Sequence, residues 1–133
     1  MTDLELLNLA VNAMENAYSP YSEFKVGAAL LCENGDVYCG ANIENSSYSA
    51  TICAERVALF KAVSDRQTSF KSMAVVGCYP VKTQDFCYPC GVCLQTLREF
   101  CAPDFKIITA NSLGDIKEFT LKELLPYGFS LGR

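Results

Sequence analysis

Asn34-Gly35 lies between two alternating apolar runs, and no other feature restricts the folding of this chain so tightly. Residues 24–32 put Val26, Ala28 and Leu30 on one face, the spacing of a half-buried strand. Asn-Gly is a strong hairpin-turn signal, so a return strand is predicted from about Val37 to Glu44. Helical spacing precedes the hairpin: Leu4, Leu7, Val11 and Met14 recur over 3–17, Thr2 or Asp3 can cap them, and Ser19-Pro20 ends the run. A second helical pattern covers Ile52–Val63, with Val57, Leu59, Phe60 and Ala62 on a wide apolar face. Met73–Tyr79 reads as a buried strand, and 80–89, with two prolines, as a loop. Pro89 opens a helix that runs to Phe100. A strand at 105–110, a turn at Asn111–Gly114, a short strand at Ile116–Phe119 and a short helix at Leu121–Leu125 complete the chain. The order α-β-β-α-β-α-β-β-α is that of an α/β fold, a mixed sheet with helices packed on it, in one domain spanning 1–133.

Charge narrows the partners. The chain carries 15 acidic against 11 basic residues, a formal charge of -4, and no Lys/Arg run. A protein that neutralises a phosphate backbone usually presents a basic face, so a small substrate is expected rather than a nucleic acid polymer. No stretch approaches the ~20 apolar residues that span a bilayer, and no membrane association is expected. The N-terminal Met-Thr-Asp-Leu-Glu is acidic and amphipathic, unlike a secretory signal. A cytoplasmic location is the expectation, and there the 8 cysteines should be thiols or metal ligands rather than disulfides.

The chain contains 0 histidines, so a zinc site must use cysteine or carboxylate, and proton transfer falls to a carboxylate. Cys53-Ala54-Glu55 and Pro89-Cys90-Gly91-Val92-Cys93 each stand at the predicted start of a helix. Free N–H groups and partial positive charge there favour thiolate, the form that binds metal. Cys90-x-x-Cys93 puts two thiolates on one turn, and Cys53 can bring a third. Three cysteines leave the fourth tetrahedral position of a catalytic zinc open. Glu55, two residues past a ligand, can face the site without filling that position. The set matches zinc deaminases, in which a glutamate outside the ligand set shuttles protons.

Taken singly, these residues have plainer readings. Cys90-x-x-Cys93 also suits a redox pair, or a structural zinc site completed by Cys87 or Cys101. Glu55 and Arg56 suit a solvated helix face, and Asn42 and Glu44 the polar face of a strand. Phe24 and Phe129 suit a core or an interface, and Tyr48 an ordinary loop. A zinc-stabilised binding module, a nucleic-acid editor of the same fold and a deaminase of a modified cytosine nucleoside of the blasticidin-S type stay open on this basis.

Over nearly its whole length the chain resembles the small, homotetrameric class of cytidine deaminase. The resemblance rests on YSPYSEFKVGAAL (18–30), GANIENSSYSATICAERVALFKAV (40–63), PCGVCLQTL (89–97) and IKEFTLKELLPYGFS (116–130). It implies a three-layer fold, a mixed five-stranded sheet with helices on both faces. It implies one Zn²⁺ per subunit on Cys53, Cys90 and Cys93, Glu55 as catalytic residue and Arg56 balancing thiolate charge. Asn42 and Glu44, with Ile43 between them, would meet the ribose, the Ala54 backbone the base, and Phe24 the nucleoside. Tyr48 and Phe129 would reach a neighbouring subunit's site in a homotetramer. The activity implied is hydrolysis of cytidine and 2′-deoxycytidine to uridine and 2′-deoxyuridine, with ammonia released, in pyrimidine salvage. The family commonly has arginine after the last zinc cysteine, where this chain has Leu94. The loop 80–89, with its extra Cys87, looks longer than usual and has no role assigned by the resemblance.

Overall fold

A computed structural model describes residues 1–79 and 81–132; Pro80, the first residue of the expected 80–89 loop, and Arg133 lie outside them. Helix α1 spans Asp3–Ala13, and the hairpin strands β1 and β2 span Lys25–Cys32 and Val37–Ala41. Helix α2 (Ala54–Ser64) and strand β3 (Phe70–Cys78) follow, then α3 (Gly91–Phe100), β4 (Lys106–Ala110), β5 (Ile116–Thr120) and α4 (Leu121–Leu124). The strands form one 5-stranded sheet in the order β2-β1-β3-β4-β5. β1 pairs antiparallel with β2 and β3, β3 parallel with β4, and β4 antiparallel with β5, so the sheet is mixed. A parallel pair needs a crossover connection, and the segment carrying α3 supplies it between β3 and β4.

Alternation along β1 divides the core in two. Val26, Ala28, Leu30 and Cys32 face Ala54, Ala58, Leu59, Leu94, Leu97 and Leu121, that is, α2, α3 and α4. Ala29 and Leu31 face Leu6, Leu7 and Ala10 of α1 on the other side. Helices therefore cover both faces, the three-layer arrangement that the resemblance implied. Among the described residues, no helix is long and apolar enough to cross a membrane.

Three local expectations change. Thr2 caps α1 in a capping box with Glu5, but the buried face is Leu6, Leu7, Ala10 and Ala13, while Leu4 and Val11 are exposed. The reason is close packing: a Cβ on Gly27 would lie 2.0 Å from the Ala10 carbonyl oxygen. Only the alanine side of α1 can approach β1 so nearly. On α2, the expected apolar Phe60 is likewise exposed, and the buried residues are Ala54, Glu55, Ala58, Leu59 and Ala62. The return strand ends at Ala41 instead of continuing to Glu44: Asn42 N–H still donates to the Val26 carbonyl at 3.3 Å, but its side chain takes the Val26 N–H that a continued ladder would pair. Its Oδ1 accepts from Val26 N–H at 2.8 Å and its Nδ2 donates to the Phe24 carbonyl at 2.8 Å.

Gly27→Ala is expected to lower stability by about 1–3 kcal/mol, the usual cost of overpacking, read as a lower urea midpoint at unchanged slope. A pH effect is expected from Cys101, which is buried beside Leu97 and Phe105. Burial pushes its thiol from 9.0 up to about 12. The folded chain keeps a proton that the unfolded chain releases, so this contribution is intact below pH 9.0 and is lost as pH rises towards 12. Urea titrations above pH 9.0 should show a shallower loss in Cys101→Ala than in the parent.

Candidate active site

The two cysteine motifs meet because each begins a helix on the same face of the sheet. Cys53 is the N-cap of α2 and Cys90 the N-cap of α3, both with extended backbone (φ -76, ψ 154 and φ -72, ψ 165). Cys93 lies in the first turn of α3 and is fully buried. A Cβ on Gly40 would lie 2.5 Å from the Ala54 carbonyl oxygen and 2.6 Å from the Ala58 nitrogen. The first turn of α2 thus rests on bare β2 backbone, which sets the height of Cys53 and Glu55 over the sheet. Gly40 was not singled out from the sequence, although a glycine inside a strand signals close backbone approach.

The sulfurs of Cys53 and Cys90 are 3.7 Å apart, and those of Cys90 and Cys93 3.5 Å. All three lie within 4.8 Å of one another. A disulfide needs about 2.05 Å, and all 8 cysteines are free. Tetrahedral zinc with Zn–S near 2.3 Å implies sulfur pairs about 3.8 Å apart, so the thiol triangle fits that ion in size and in donor softness. Neither Cys87 nor Cys101 belongs to the cluster, so among the described residues no fourth cysteine completes a closed structural site.

Electrostatics distinguishes the three thiols. Cys53 is brought down to about 5 by a hydrogen bond from Cys93, with further help from the Arg56 guanidinium. Cys93, the donor of that bond, is pushed well up, and burial pushes the same way. Arg56 Nη2 donates to Cys53 Sγ at 3.5 Å, while its buried Nε has no partner among the described residues. Burial opposes the guanidinium charge, but the Cys53 and Cys93 sulfurs outweigh it and keep Arg56 charged. Leu94 is buried in the apolar cluster with Leu97 and Leu121 and brings no charge to the sulfurs. Arg56 and the two helix N-termini are left to offset the thiolates.

Glu55 is 4% exposed, on the buried face of α2. Burial, reinforced by the nearby Cys53 thiolate, raises its carboxyl to about 7. It lines a cleft of about 160 Å³ with Asn42, Thr51, Cys53, Ala54 and Cys90. Thr51 also lines a neighbouring hollow of about 380 Å³, with Tyr21, Ser22, Glu44 and Tyr48. Glu44 accepts from the backbone N–H groups of Tyr21 and Ser22 at 3.0 and 3.1 Å and from the Ser22 hydroxyl. Those bonds, led by Ser22, hold its carboxyl below the usual range. A larger groove of about 770 Å³ runs over α2 and β2, but it contains neither Glu55 nor the sulfurs.

The structure therefore gathers Asn42, Cys53, Ala54, Glu55 and Cys90 around one cleft, with Cys93 in the sulfur cluster and Glu44 and Tyr48 around the adjoining hollow. Phe24, Ile43 and Phe129 line neither. Phe24 packs edge-on to Tyr79 at 5.1 Å. Ile43 bridges Tyr18 and Ile52. Phe129 is 61% exposed, with its backbone gripped by Gln95, which donates to its carbonyl at 2.8 Å. Thr51, Cys87 and Tyr88 are cleft residues that the sequence reading did not find. Thr51 had a signal, since it stands two residues before Cys53.

A mixed sheet with helices on both faces, three clustered thiols and a buried carboxylate at paired helix N-termini together define an α/β enzyme of the zinc-deaminase class. Residues 1–109 match the family model described as the cytidine and deoxycytidylate deaminase zinc-binding region. The cytidine deaminase of Sporosarcina psychrophila is 51% identical over 126 residues, 95% of this chain and 90% of that protein. The cytidine deaminase of Halalkalibacterium halodurans is 49% identical over 125 residues, 94% and 92% of the two chains. The crystal structure of cytidine deaminase from Burkholderia pseudomallei superposes with a TM-score of 0.90 at 41% identity, covering 97% of this chain and 100% of that one. The chain belongs to the cytidine and deoxycytidylate deaminase family.

Gly40→Ala should lift α2 from β2 and spread the cysteines. The expected result is a severalfold fall in zinc retained after gel filtration, measured by elemental analysis, with the sheet intact by circular dichroism.

Proposed function

We propose that this enzyme hydrolyses cytidine and 2′-deoxycytidine to uridine and 2′-deoxyuridine with release of ammonia, as a step of pyrimidine salvage. One observation carries the reading: three sulfurs clustered at two helix N-termini, with the buried Glu55 in the same cleft. Cys53, Cys90 and Cys93 would hold one zinc ion per subunit. Zinc bound there supplies Lewis acidity and makes a water nucleophilic near neutral pH.

The chain's own groups do the rest. The base enters the smaller cleft with C4 towards the sulfurs. Glu55 takes a proton from the attacking water on a carboxylate oxygen and delivers it to N3. It then takes the proton of the new C4 hydroxyl and gives it to the amino group, so that the C4–N bond breaks, C4=O forms and ammonia departs. A carboxyl raised to about 7 suits a group that must both accept and donate protons near neutral pH. The backbone N–H at Ala54, in the first turn of α2, is free of helical pairing and suits an acceptor on the base. The sugar extends past Thr51 into the hollow containing Glu44. There the Glu44 carboxylate offers acceptor lone pairs to the ribose hydroxyls, and from the adjoining cleft the Asn42 amide offers its second N–H and second oxygen lone pair. Phe24 and Ile43 act at one remove, by holding β1 and the segment after β2 around the nucleoside. Arg56 balances thiolate charge.

Tyr48 and Phe129 are 77% and 61% exposed, which supports a homotetramer in which they close a neighbour's site. The 8 free cysteines suit a reducing, cytoplasmic compartment.

Cytidine turnover, followed as loss of ultraviolet absorbance and as ammonia released, tests the reading. Glu55→Ala is expected to keep its zinc and lose about 10²–10⁴-fold in kcat, the usual range for a general acid–base. Chelation is expected to abolish turnover and added zinc to restore it. Full activity after verified zinc removal would overturn the mechanism.

A further inference from the structure

The loop between β3 and α3 brings Cys87 and Tyr88 into the cleft wall and leads directly into Cys90. The reaction steps above give it no task, but its contacts follow one pattern. Thr83 N–H donates to Ser112 Oγ at 2.7 Å, and Asn111 Nδ2 donates to the Gln84 carbonyl at 3.5 Å. Thr109 Oγ1 donates to the Cys87 carbonyl at 3.3 Å. Tyr88 meets Phe119 edge-on, with ring centroids 5.8 Å apart, and its hydroxyl accepts from Lys117 Nζ at 3.1 Å. The same ammonium lies 4.5 Å over the ring of Phe86. Each of these partners belongs to β4, β5 or the turn between them, while Tyr79, at the start of the loop, packs on Phe24 and Cys87 lies against Gly77 of β3. The loop is strapped along that hairpin, which forms one edge of the sheet.

Covalent geometry carries the strap's position to the sulfurs. Pro89 is buried, its ring fixes its own φ, and it confines Tyr88 to extended backbone. Few soft torsions separate the Tyr88 ring from the Cys90 thiol. We propose that Tyr88, gripped on β5 by Lys117 and Phe119, is a positioning residue that fixes the cleft wall and sets Cys90 against Cys53 and Cys93. The proposal rests on reading the sulfurs as a zinc site and the cleft as a nucleoside site. Tyr88 is 46% exposed, so removing its ring should be felt in the cleft far more than in global stability.

The test compares Tyr88→Ala, Tyr88→Phe and Lys117→Ala with the parent enzyme, each loaded with zinc. Three quantities are measured: kcat and KM for cytidine, the rate of zinc transfer to a colorimetric chelator, and amide hydrogen exchange over 86–90. Tyr88→Ala should raise KM and the zinc release rate by about tenfold each, the scale of an aromatic pair plus a cation–π contact. Exchange over 86–90 should quicken, with kcat and the thermal midpoint changing far less. Tyr88→Phe keeps the ring on Phe119 and should recover most of the loss, with Lys117→Ala falling between. Parent-like zinc release, KM and exchange in Tyr88→Ala would overturn the proposal, as would a change confined to the thermal midpoint. If the parent holds zinc but frees no ammonia from cytidine, the nucleoside reading fails, while zinc release and exchange still decide the role of Tyr88. If the parent holds no zinc, exchange decides it alone.

Discussion

At Gly40 the first turn of α2 lies on the backbone of β2 with no side chain between them. Much of the site depends on this contact. It brings the α2 N-terminus low over the sheet, where Cys53 can meet the α3 cap and Glu55 is closed off from water. Raising the helix by the thickness of a methyl group would separate the sulfurs and wet the carboxylate together. Catalytic geometry and core packing are here one constraint, because the residues next to Glu55 in the buried face, Ala54 and Ala58, are also the ones that rest on the strand.

Burial of charge is the second constraint. A soft, anionic ligand set beside a carboxylate is unfavourable in a low-dielectric site unless cations or dipoles balance it. The chain answers with one guanidinium and two helix N-termini. Leu94, part of the apolar core, takes no share in that balance. Arg56 still has an unspent donor, the buried Nε, so its hydrogen-bonding capacity is not exhausted by Cys53. Glu44 differs: three donors from Tyr21 and Ser22 fix its orientation and leave acceptor capacity over, and it anchors the segment beside the hollow that it lines.

The sheet, its hairpin and the helix order were legible because strand alternation and Asn34-Gly35 are local signals. The three sulfurs were legible because two helix starts both carried cysteine in a chain without histidine. What failed to read was how closely elements pack. The helical spacing pointed to Leu4, Leu7, Val11 and Met14, whereas the buried face is Leu6, Leu7, Ala10 and Ala13, set against β1 where Gly27 leaves no room for a side chain. Asn42 was legible as a polar residue on a strand, not as the residue that ends it by bonding to Val26 and Phe24. Thr51 and Tyr88 enter the cleft through folding of loops, which leaves no periodicity to read.

Cys53 and Cys90 meet across 37 positions of chain, with all of β3 between them. A chain emerging from the ribosome therefore displays Cys53 long before its partners exist. Full coordination has to wait until β3 is in the sheet and α3 has docked, since a preformed site is absent from unfolded chains. On the proposed zinc reading, metal capture would be a timestamp of maturation, marking molecules whose crossover has closed and leaving earlier intermediates with bare, oxidisable thiols.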